Sequence, residues 1–213
     1  MKTDTLIKVC GIRFIESAIY AVSEGADFIG LVFHPNSKRF VDIASAKKIT
    51  EAVSFNGGIP VAVVVDHKAS DIKKICRKTG INHVQFHGKN AIEALPEIPE
   101  DIIKILSVKV SDKGIPESIP SDILKCLDPH KDYLLYDGQN PGSGVRFDLD
   151  FFCPLLDFRY FVAGGLNPFN VAEVLKALKP YAVDVSSGVE TEPGVKDPLK
   201  IKEFIQQVKH FKG

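Results

Sequence analysis

The amino-acid sequence predicts a single (β/α)8 barrel. Short apolar runs rich in β-branched residues alternate with amphipathic stretches that carry charges every three or four residues, and the alternation occurs eight times. Strands separated by helices must run parallel, because a hairpin has no room for a crossover of that length. The 213 residues allow about 27 for each unit, which suits a small barrel. An open doubly wound sheet is the alternative arrangement of the same units.

The apolar, β-branched runs define eight candidate strands. They span Ile7–Ile12, Phe28–Phe33, Ile59–Val65, His83–His87, Ile102–Val108, Asp132–Asp137, Tyr160–Gly164 and Ala182–Ser186. We expect strand eight to pair with strand one, because that contact closes the barrel.

The amphipathic stretches define eight candidate helices. They span Ile15–Ser23, Ile43–Val53, Ser70–Lys78, Asn90–Leu95, Ser121–Leu127, Leu149–Leu156, Pro168–Leu178 and Pro198–Phe211. In the seventh helix Asn167 is the expected N-cap and Pro168 suits the first turn, and Asp197 and Pro198 repeat this pair in the eighth. The proline-rich stretch 96–120 predicts an irregular loop.

Composition and charge exclude several classes of protein. The 27 basic and 27 acidic residues balance, so we expect neither a nucleic acid nor a membrane as partner. No apolar run approaches the roughly 18 residues that a transmembrane helix requires, and the first residues lack a signal-peptide pattern, which predicts a cytoplasmic protein. The four cysteines form no C-x-x-C pair, which argues against a structural zinc site, and a cytoplasmic location argues against disulfides.

Functional groups of a parallel barrel lie at the carboxyl ends of its strands, and those positions are polar here. Strand one places Lys8 and Cys10 on one face, so Cys10 is a candidate base at the barrel mouth; the alternative is a small buried apolar residue. Strand six ends in Asp137 before Gly138. Partial burial there would raise the pKa of the carboxyl and keep it protonated for acid catalysis, whereas the alternative is an ordinary Asp-Gly turn.

Other inward-facing positions predict substrate contacts. Gln85 and His87 share a face of strand four and are candidates to bind a polyhydroxylated ligand, although a structural histidine is equally compatible. Asp184 and Ser186 share a face of strand eight. Asp184 is a further candidate for substrate binding, and we expect it to pair with Lys8 inside the barrel, where the pair would set the field around Cys10.

Three glycine-bearing turns follow the last strands and predict a phosphate site. They are Gly142-Ser143-Gly144 after strand six, Gly164-Gly165 after strand seven and Ser186-Ser187-Gly188 after strand eight. Backbone amides in such turns close around anions, and the loops after strands seven and eight commonly do so in this fold. After strand two, Arg39 in the basic run 37–39 is either solvated or a bidentate partner for a carboxylate.

The chain resembles the phosphoribosylanthranilate isomerases over nearly its whole length. The matching segments are 8–12, 25–27, 37–40, 85–88, Asp137, 142–144, 164–171 and 183–190. The resemblance implies an Amadori rearrangement of N-(5-phosphoribosyl)anthranilate, a phosphosugar, with no cofactor or metal. It gives Asp137 the role of acid, Cys10 that of base, Arg39 that of carboxylate ligand and the late turns that of phosphate ligands. The acid must be held neutral and the thiol partly ionised, so opposite pKa shifts are expected.

Residues Val61–Asp66 and Gly138 depart from the pattern of the family without removing a group from this chemistry. The alternatives are the histidine-pathway isomerases, which carry an aspartate where Cys10 stands, indole-glycerol phosphate synthases, which need a catalytic lysine, and a non-catalytic phosphosugar-binding protein. The sequence leaves open whether the protein is a monomer or a homodimer.

Overall fold

The eight strands of the central sheet run parallel and close into a barrel in chain order. The computed structural model describes residues 5–138, 148–149, 152–154 and 157–211. The strands are β1 (Leu6–Cys10), β2 (Phe28–Val32), β3 (Ile59–Val64), β4 (His83–Phe86), β5 (Ile103–Val110), β6 (Tyr133–Gly138), β7 (Tyr160–Val162) and β8 (Ala182–Val185). β8 pairs with β1, which confirms the predicted barrel and rules out the open sheet.

Seven α-helices are present in the described residues, and most lie where the sequence predicts them. They are α1 (Ile15–Glu24), α2 (Ile43–Phe55), α3 (Ala69–Thr79), α4 (Lys89–Glu93), α5 (Ser121–Leu124), α6 (Val171–Leu178) and α7 (Pro198–Lys209). The predicted cap of α7 is confirmed, because the Asp197 carboxylate accepts hydrogen bonds from the backbone N–H groups of Leu199 and Lys200. The irregular loop expected near the prolines is confirmed after β5, at residues 111–120.

Two helix predictions are wrong. Leu149 and residues 152–154, the described part of the predicted helix 149–156, are not helical, because Pro154 disfavours a helix interior and Phe152 packs instead on the ring of Tyr136. Helix α6 begins at Val171 rather than Pro168. The carboxamide of Asn170 bonds the backbone of both Asn167 and Gly165, which folds residues 168–170 into a turn before the helix.

Alternating side chains of the strands build two large buried clusters and a small third one of Cys10, Val32 and Val63. One face of β1 sends Ile7 and Val9 into the large layer between barrel and helices, and the other sends Lys8 and Cys10 inside, as predicted. The lower barrel interior is filled by apolar and aromatic side chains: Phe28, Val61, Ile105, Tyr133, Leu135, Phe161, Ala163 and Ala182. Among the described residues this packing fills the lower end of the barrel, and the polar cavity lies toward the carboxyl ends of the strands.

A short antiparallel hairpin, which the sequence analysis did not predict, follows β8. A single 3₁₀ turn (Ser187–Val189) leads into strands β9 (Glu190–Glu192) and β10 (Val195–Lys196). Gly194 at its tip has a φ of +92°, and a Cβ there would lie 2.4 Å from the carbonyl oxygen of Lys38. Glycine at this position therefore lets the hairpin pack closely on the loop after β2.

Candidate active site

A cavity of about 190 Å³ opens at the carboxyl ends of the strands. Its lining includes Cys10, Arg39, Gln85, His87, Asp137 and Asp184, which come from β1, β4, β6 and β8 and the loops after β2 and β4. Gly164, Gly165, Ser186 and Ser187 complete its polar rim. Residues far apart in the chain thus share one space, as expected for the catalytic end of a barrel.

Cys10 is the last residue of β1, and its side chain faces the cavity with 8% of its surface exposed. A Cβ on its neighbour Gly30 would lie 2.7 Å from Sγ, so β2 makes room for the thiol with a glycine. Burial raises the pKa of the thiol, and the carboxylate of Asp184 adds to that effect, whereas Lys8 and Lys196 oppose it. The expected downward shift is therefore wrong: burial outweighs the two ammonium groups.

Asp137 lies at the end of β6 and lines the same cavity. Burial first, and then the negative charge of Asp184, raise the pKa of its carboxyl to about 7, against the opposing effects of Lys8 and the backbone N–H of Gly138. This confirms the predicted upward shift. A Cβ on Gly164 would lie 3.0 Å from Asp137 Oδ1, so the glycine after β7 leaves space for the acid.

Lys8 and Asp184 form the predicted ion pair across the β1–β8 contact. Lys8 Nζ lies 2.9 Å from Asp184 Oδ1, and the two side chains are 0% and 8% exposed. Burial by itself lowers the pKa of the Lys8 ammonium, but Asp184 and the neighbouring Cys10 outweigh it, so that pKa is raised and the lysine is charged. Lys8 therefore places a fixed positive charge near Cys10, and the carboxylate of Asp184 offsets part of its effect on the thiol.

Gln85 and His87 face inward from β4 as predicted, and both contact a serine that the sequence analysis missed. Gln85 Nε2 donates to Ser107 Oγ at 3.2 Å, and His87 Nδ1 lies 3.2 Å from the same atom. Burial, Lys8 and Lys109 lower the pKa of His87, so its ring is neutral. Gln85 Oε1 is buried and has no hydrogen-bond partner among the described residues, which makes it available to a ligand hydroxyl.

Some of the residues in the predicted phosphate turns line the cavity. Gly164 and Gly165, with φ of +91° and +67°, and both serines of the turn after β8 line the cavity. Gly188 does not belong to the lining. A Cβ there would lie 1.9 Å from the carbonyl oxygen of Leu166, so the glycine instead allows the turns after β7 and β8 to pack together. The remaining prediction, Gly142-Ser143-Gly144, lies outside the described residues.

Arg39 reaches the cavity, but its guanidinium already has a carboxylate partner within the protein. Nε and Nη2 donate to the two carboxylate oxygens of Glu190, each at 2.7 Å. Glu190 also binds Lys196, whose Nζ lies 2.8 Å from Oε1. Neither Glu190 nor Lys196 was predicted from the sequence to have a role. The Pro193-Gly194 turn between them was the available signal, since it is typical of a hairpin that brings its flanking residues together.

Among the described residues, no group of three or more His, Cys, Asp or Glu side chains could hold a metal ion. Within those residues no helix is long and apolar enough to cross a bilayer.

The fold and the cavity define a (β/α)8-barrel enzyme whose polar groups converge at the carboxyl ends of its strands. The family model described as N-(5'phosphoribosyl)anthranilate (PRA) isomerase matches residues 7–207. The chain belongs to this family, and it is an isomerase of tryptophan biosynthesis.

Individual relatives agree with this assignment. The N-(5'-phosphoribosyl)anthranilate isomerase of Thermotoga petrophila is 39% identical over 209 residues, covering 95% of this chain and 98% of the relative. The crystal structure of the phosphoribosyl anthranilate isomerase from Thermotoga maritima has a TM-score of 0.82 at 37% identity, with 96% and 98% coverage. A further structure of such an isomerase, in complex with reduced 1-(o-carboxyphenylamino)-1-deoxyribulose 5-phosphate, has a TM-score of 0.74 at 34% identity, with 96% and 98% coverage.

Proposed function

We propose that the chain converts N-(5-phosphoribosyl)anthranilate into 1-(2-carboxyphenylamino)-1-deoxyribulose 5-phosphate, with Asp137 as general acid and Cys10 as general base. The observation that carries the assignment is the placement of a thiol and a carboxyl of pKa about 7 in the lining of one cavity. Acid–base catalysis requires two groups that reach different atoms of one bound substrate, and side chains at the ends of β1 and β6 meet that requirement.

Asp137 performs the first step. Its carboxyl donates a proton to the furanose ring oxygen while the bond from that oxygen to C1 breaks, and the nitrogen lone pair forms the C1=N bond of a protonated Schiff base. A pKa of about 7 leaves a large fraction of the carboxyl protonated at neutral pH, whereas an ordinary aspartic acid would be almost fully ionised. The carboxylate left behind interacts favourably with the Lys8 ammonium, which limits the cost of ionisation.

Cys10 performs the second step. Its thiolate takes the proton from C2, the C–H electron pair forms a C1=C2 bond, and the C1=N electrons return to nitrogen to give an enolamine. Loss of the hydroxyl proton at C2 and protonation at C1 then give the ketone. The rearrangement is redox-neutral within the substrate, so side chains that move protons suffice. Lys8 and Lys196 favour the thiolate against the burial that disfavours it.

The remaining polar groups bind and orient the substrate. We assign the phosphate to the turns after β7 and β8, together with Gly142-Ser143-Gly144. We assign His87, Asp184 and Gln85 Oε1, which has no partner in the described part of the chain, to the sugar hydroxyls. Arg39 is assigned to the anthranilate carboxylate; Glu190 engages Nε and Nη2, which leaves Nη1 for the ligand.

Turnover and binding measured separately test these roles. The fluorescence decrease on consumption of phosphoribosylanthranilate reports activity. Cys10→Ser and Asp137→Asn should each lower kcat by several orders of magnitude while leaving the affinity for a reduced product analogue within about tenfold, because proton transfer and binding are separable.

The control is Cys153→Ser, which removes an exposed thiol outside the cavity and should keep full activity. Equal losses of kcat and analogue affinity in the Cys10 or Asp137 variants would contradict the assigned roles. An inactive wild-type enzyme that still binds the analogue would contradict the proposed reaction itself.

A further inference from the structure

Lys196 is a buried lysine beside the cavity that the chemistry above does not explain. It is the last residue of β10, and its side chain is only 2% exposed. Burial of an ammonium group is costly unless it is paired and hydrogen-bonded. The hairpin β9–β10 thus brings a charge into the protein interior that an anchoring role alone would not require.

The contacts of Lys196 connect the hairpin to Cys10. Lys196 Nζ donates to the carbonyl oxygen of Ser186 at 2.9 Å and lies 3.4 Å from Ser186 Oγ. Ser186 Oγ in turn donates to the carbonyl oxygen of Cys10 at 3.1 Å. The Lys196 ammonium therefore binds Ser186, whose hydroxyl group is hydrogen-bonded to the backbone carbonyl of Cys10, the proposed base.

Glu190 keeps this ammonium charged. It accepts from Lys196 at 2.8 Å and from the Arg39 guanidinium through both carboxylate oxygens. Burial lowers the pKa of Lys196, and Glu190 opposes that effect. Without this carboxylate, a buried lysine would lose its proton far more easily.

The charges around Cys10 sum to a positive value only when Lys196 is included. The groups that face it are Lys8 from β1, Asp184 from β8, Asp137 from β6, the neutral His87 after β4, His34 and Arg39 from the loop after β2, and Lys196 with Glu190 from the hairpin. Leaving the two histidines aside, the three cations exceed the two anions by one in the free enzyme with Asp137 protonated, before it gives its proton to the substrate. Removal of Lys196 brings the balance to zero.

We propose that Lys196 is a positioning residue for the isomerisation: the hairpin places its ammonium against Ser186 and beside Cys10, where it stabilises the thiolate that removes the C2 proton. Glu190 holds the ammonium in place and charged. This inference rests on the proposed function of Cys10 and assigns the β9–β10 hairpin a part in it.

The test measures ionisation of Cys10 directly. The wild type and Lys196→Gln are treated with iodoacetamide from pH 6 to 10, and carboxamidomethylation of the Cys10 peptide is followed by mass spectrometry, which separates it from the other three cysteines. Only the thiolate reacts. In Lys196→Gln, which keeps hydrogen-bond donors but loses the charge, we expect about tenfold slower alkylation near pH 7 and an alkylation profile displaced by about one pH unit to higher pH.

Two further variants distinguish the effect of the Lys196 charge from a role of Lys196 in anchoring the hairpin. Lys196→Arg keeps the charge and should keep the alkylation profile near that of the wild type. Lys200→Gln is the matched control, because Lys200 Nζ binds the backbone carbonyl of Glu190 on the same hairpin and does not line the cavity. It should leave both the profile and kcat/KM unchanged.

The pH dependence of kcat/KM should follow the ionisation of the Cys10 thiol. In Lys196→Gln, kcat/KM should fall about tenfold near pH 7 and recover at higher pH, where the thiolate forms without help. Lost activity with an unshifted alkylation profile would overturn the proposal and leave Lys196 a purely structural anchor. A shifted profile together with an active Cys10→Ser enzyme would uphold the effect of Lys196 on the thiol and overturn the proposed role of Cys10.

If Lys196→Gln does not fold, the wild-type protein supplies the test. With ¹³C-labelled lysines, the Cε resonance of Lys196 should shift as Cys10 titrates, and this inflection should disappear in Cys10→Ser. An identical titration of Lys196 in both proteins would overturn the proposal, because the interaction between two ionisable groups is reciprocal.

Discussion

Asp137 meets two opposing demands at the level of a single residue. Its burial raises the pKa of the carboxyl to about 7, which suits a proton donor working near neutrality. The same burial makes the ionised form costly to hold in the folded protein, and Asp184 adds to that cost. A residue selected for acid catalysis therefore lowers stability at alkaline pH, as expected for functional sites.

We predict that Asp137→Asn is more stable than the wild type at high pH. The folded-state pKa of about 7 lies above the ordinary value of 3.8, so the folded protein binds this proton more tightly than the unfolded chain. The associated stability is complete below about pH 3.8 and is lost as the pH rises through 7. Between pH 4 and 8.5, urea unfolding should show a relative gain for the variant of the order of 2 kcal/mol.

The control is Asp101→Asn, an Asp-to-Asn change at an exposed position. A stability difference between wild type and Asp137→Asn that does not vary with pH would contradict the assigned cost of ionisation.

At the level of elements, the turns after β7 and β8 have to approach one another to form one rim. The close approach depends on Gly188, because a Cβ there would lie 1.9 Å from the carbonyl oxygen of Leu166. The contact is with backbone, which cannot move aside as a flexible side chain can. Gly188, which was predicted from the sequence to belong to the phosphate site, thus allows the two turns to pack closely and does not itself line the cavity.

We predict that Gly188→Ala impairs substrate binding more than chemistry. The added methyl group must push the two turns apart, so KM for the substrate and Kd for inorganic phosphate should rise about tenfold or more, while kcat changes by less than about threefold. Steady-state kinetics and phosphate inhibition measure these values.

Gly80→Ala is the comparison variant. Gly80 ends α3 with a φ of +80° and has open space around it, so alanine there adds backbone strain without touching the rim. A Gly188→Ala enzyme with unchanged KM and reduced kcat would contradict the assignment of these turns to substrate binding.

For the whole molecule, barrel closure and the active site share the buried pair Lys8–Asp184. The two residues face each other in the register of β1 and β8, the contact that joins the first strand to the last. Removing one partner of such a pair leaves an uncompensated buried charge, whereas replacing both residues with apolar ones is often tolerated.

We therefore predict that Lys8→Met destabilises the protein by about 3–5 kcal/mol, and that Lys8→Met/Asp184→Leu regains most of this loss. Equilibrium urea unfolding measures both values. The double variant should be folded but catalytically impaired, because the charges of Lys8 and Asp184 that act on Cys10 and Asp137 are gone. Additive losses in the double variant would contradict this prediction, because they would mean that Lys8 and Asp184 do not interact energetically.

Local patterns along the chain were sufficient to predict the barrel, most of its helices and the inward direction of Lys8, Cys10, Gln85 and His87. Each depends on periodicity or capping, which neighbouring residues determine. The failures arose where specific side-chain contacts, rather than periodicity, decide the outcome. Phe152 packs on Tyr136 rather than in a helix, and α6 begins late because Asn170 bonds the turn after β7.

The sequence by itself determined which chemistry-bearing residues end the strands, and hence that a thiol and a carboxyl lie at the mouth of one barrel. Only the tertiary structure decided their ionisation and their partners. Burial, rather than residue type, raises the pKa of both Cys10 and Asp137. The hairpin gives Arg39 the carboxylate of Glu190 and gives Cys10 the ammonium of Lys196. Such effects depend on distance and solvent exclusion between segments far apart in the chain, which no local pattern records.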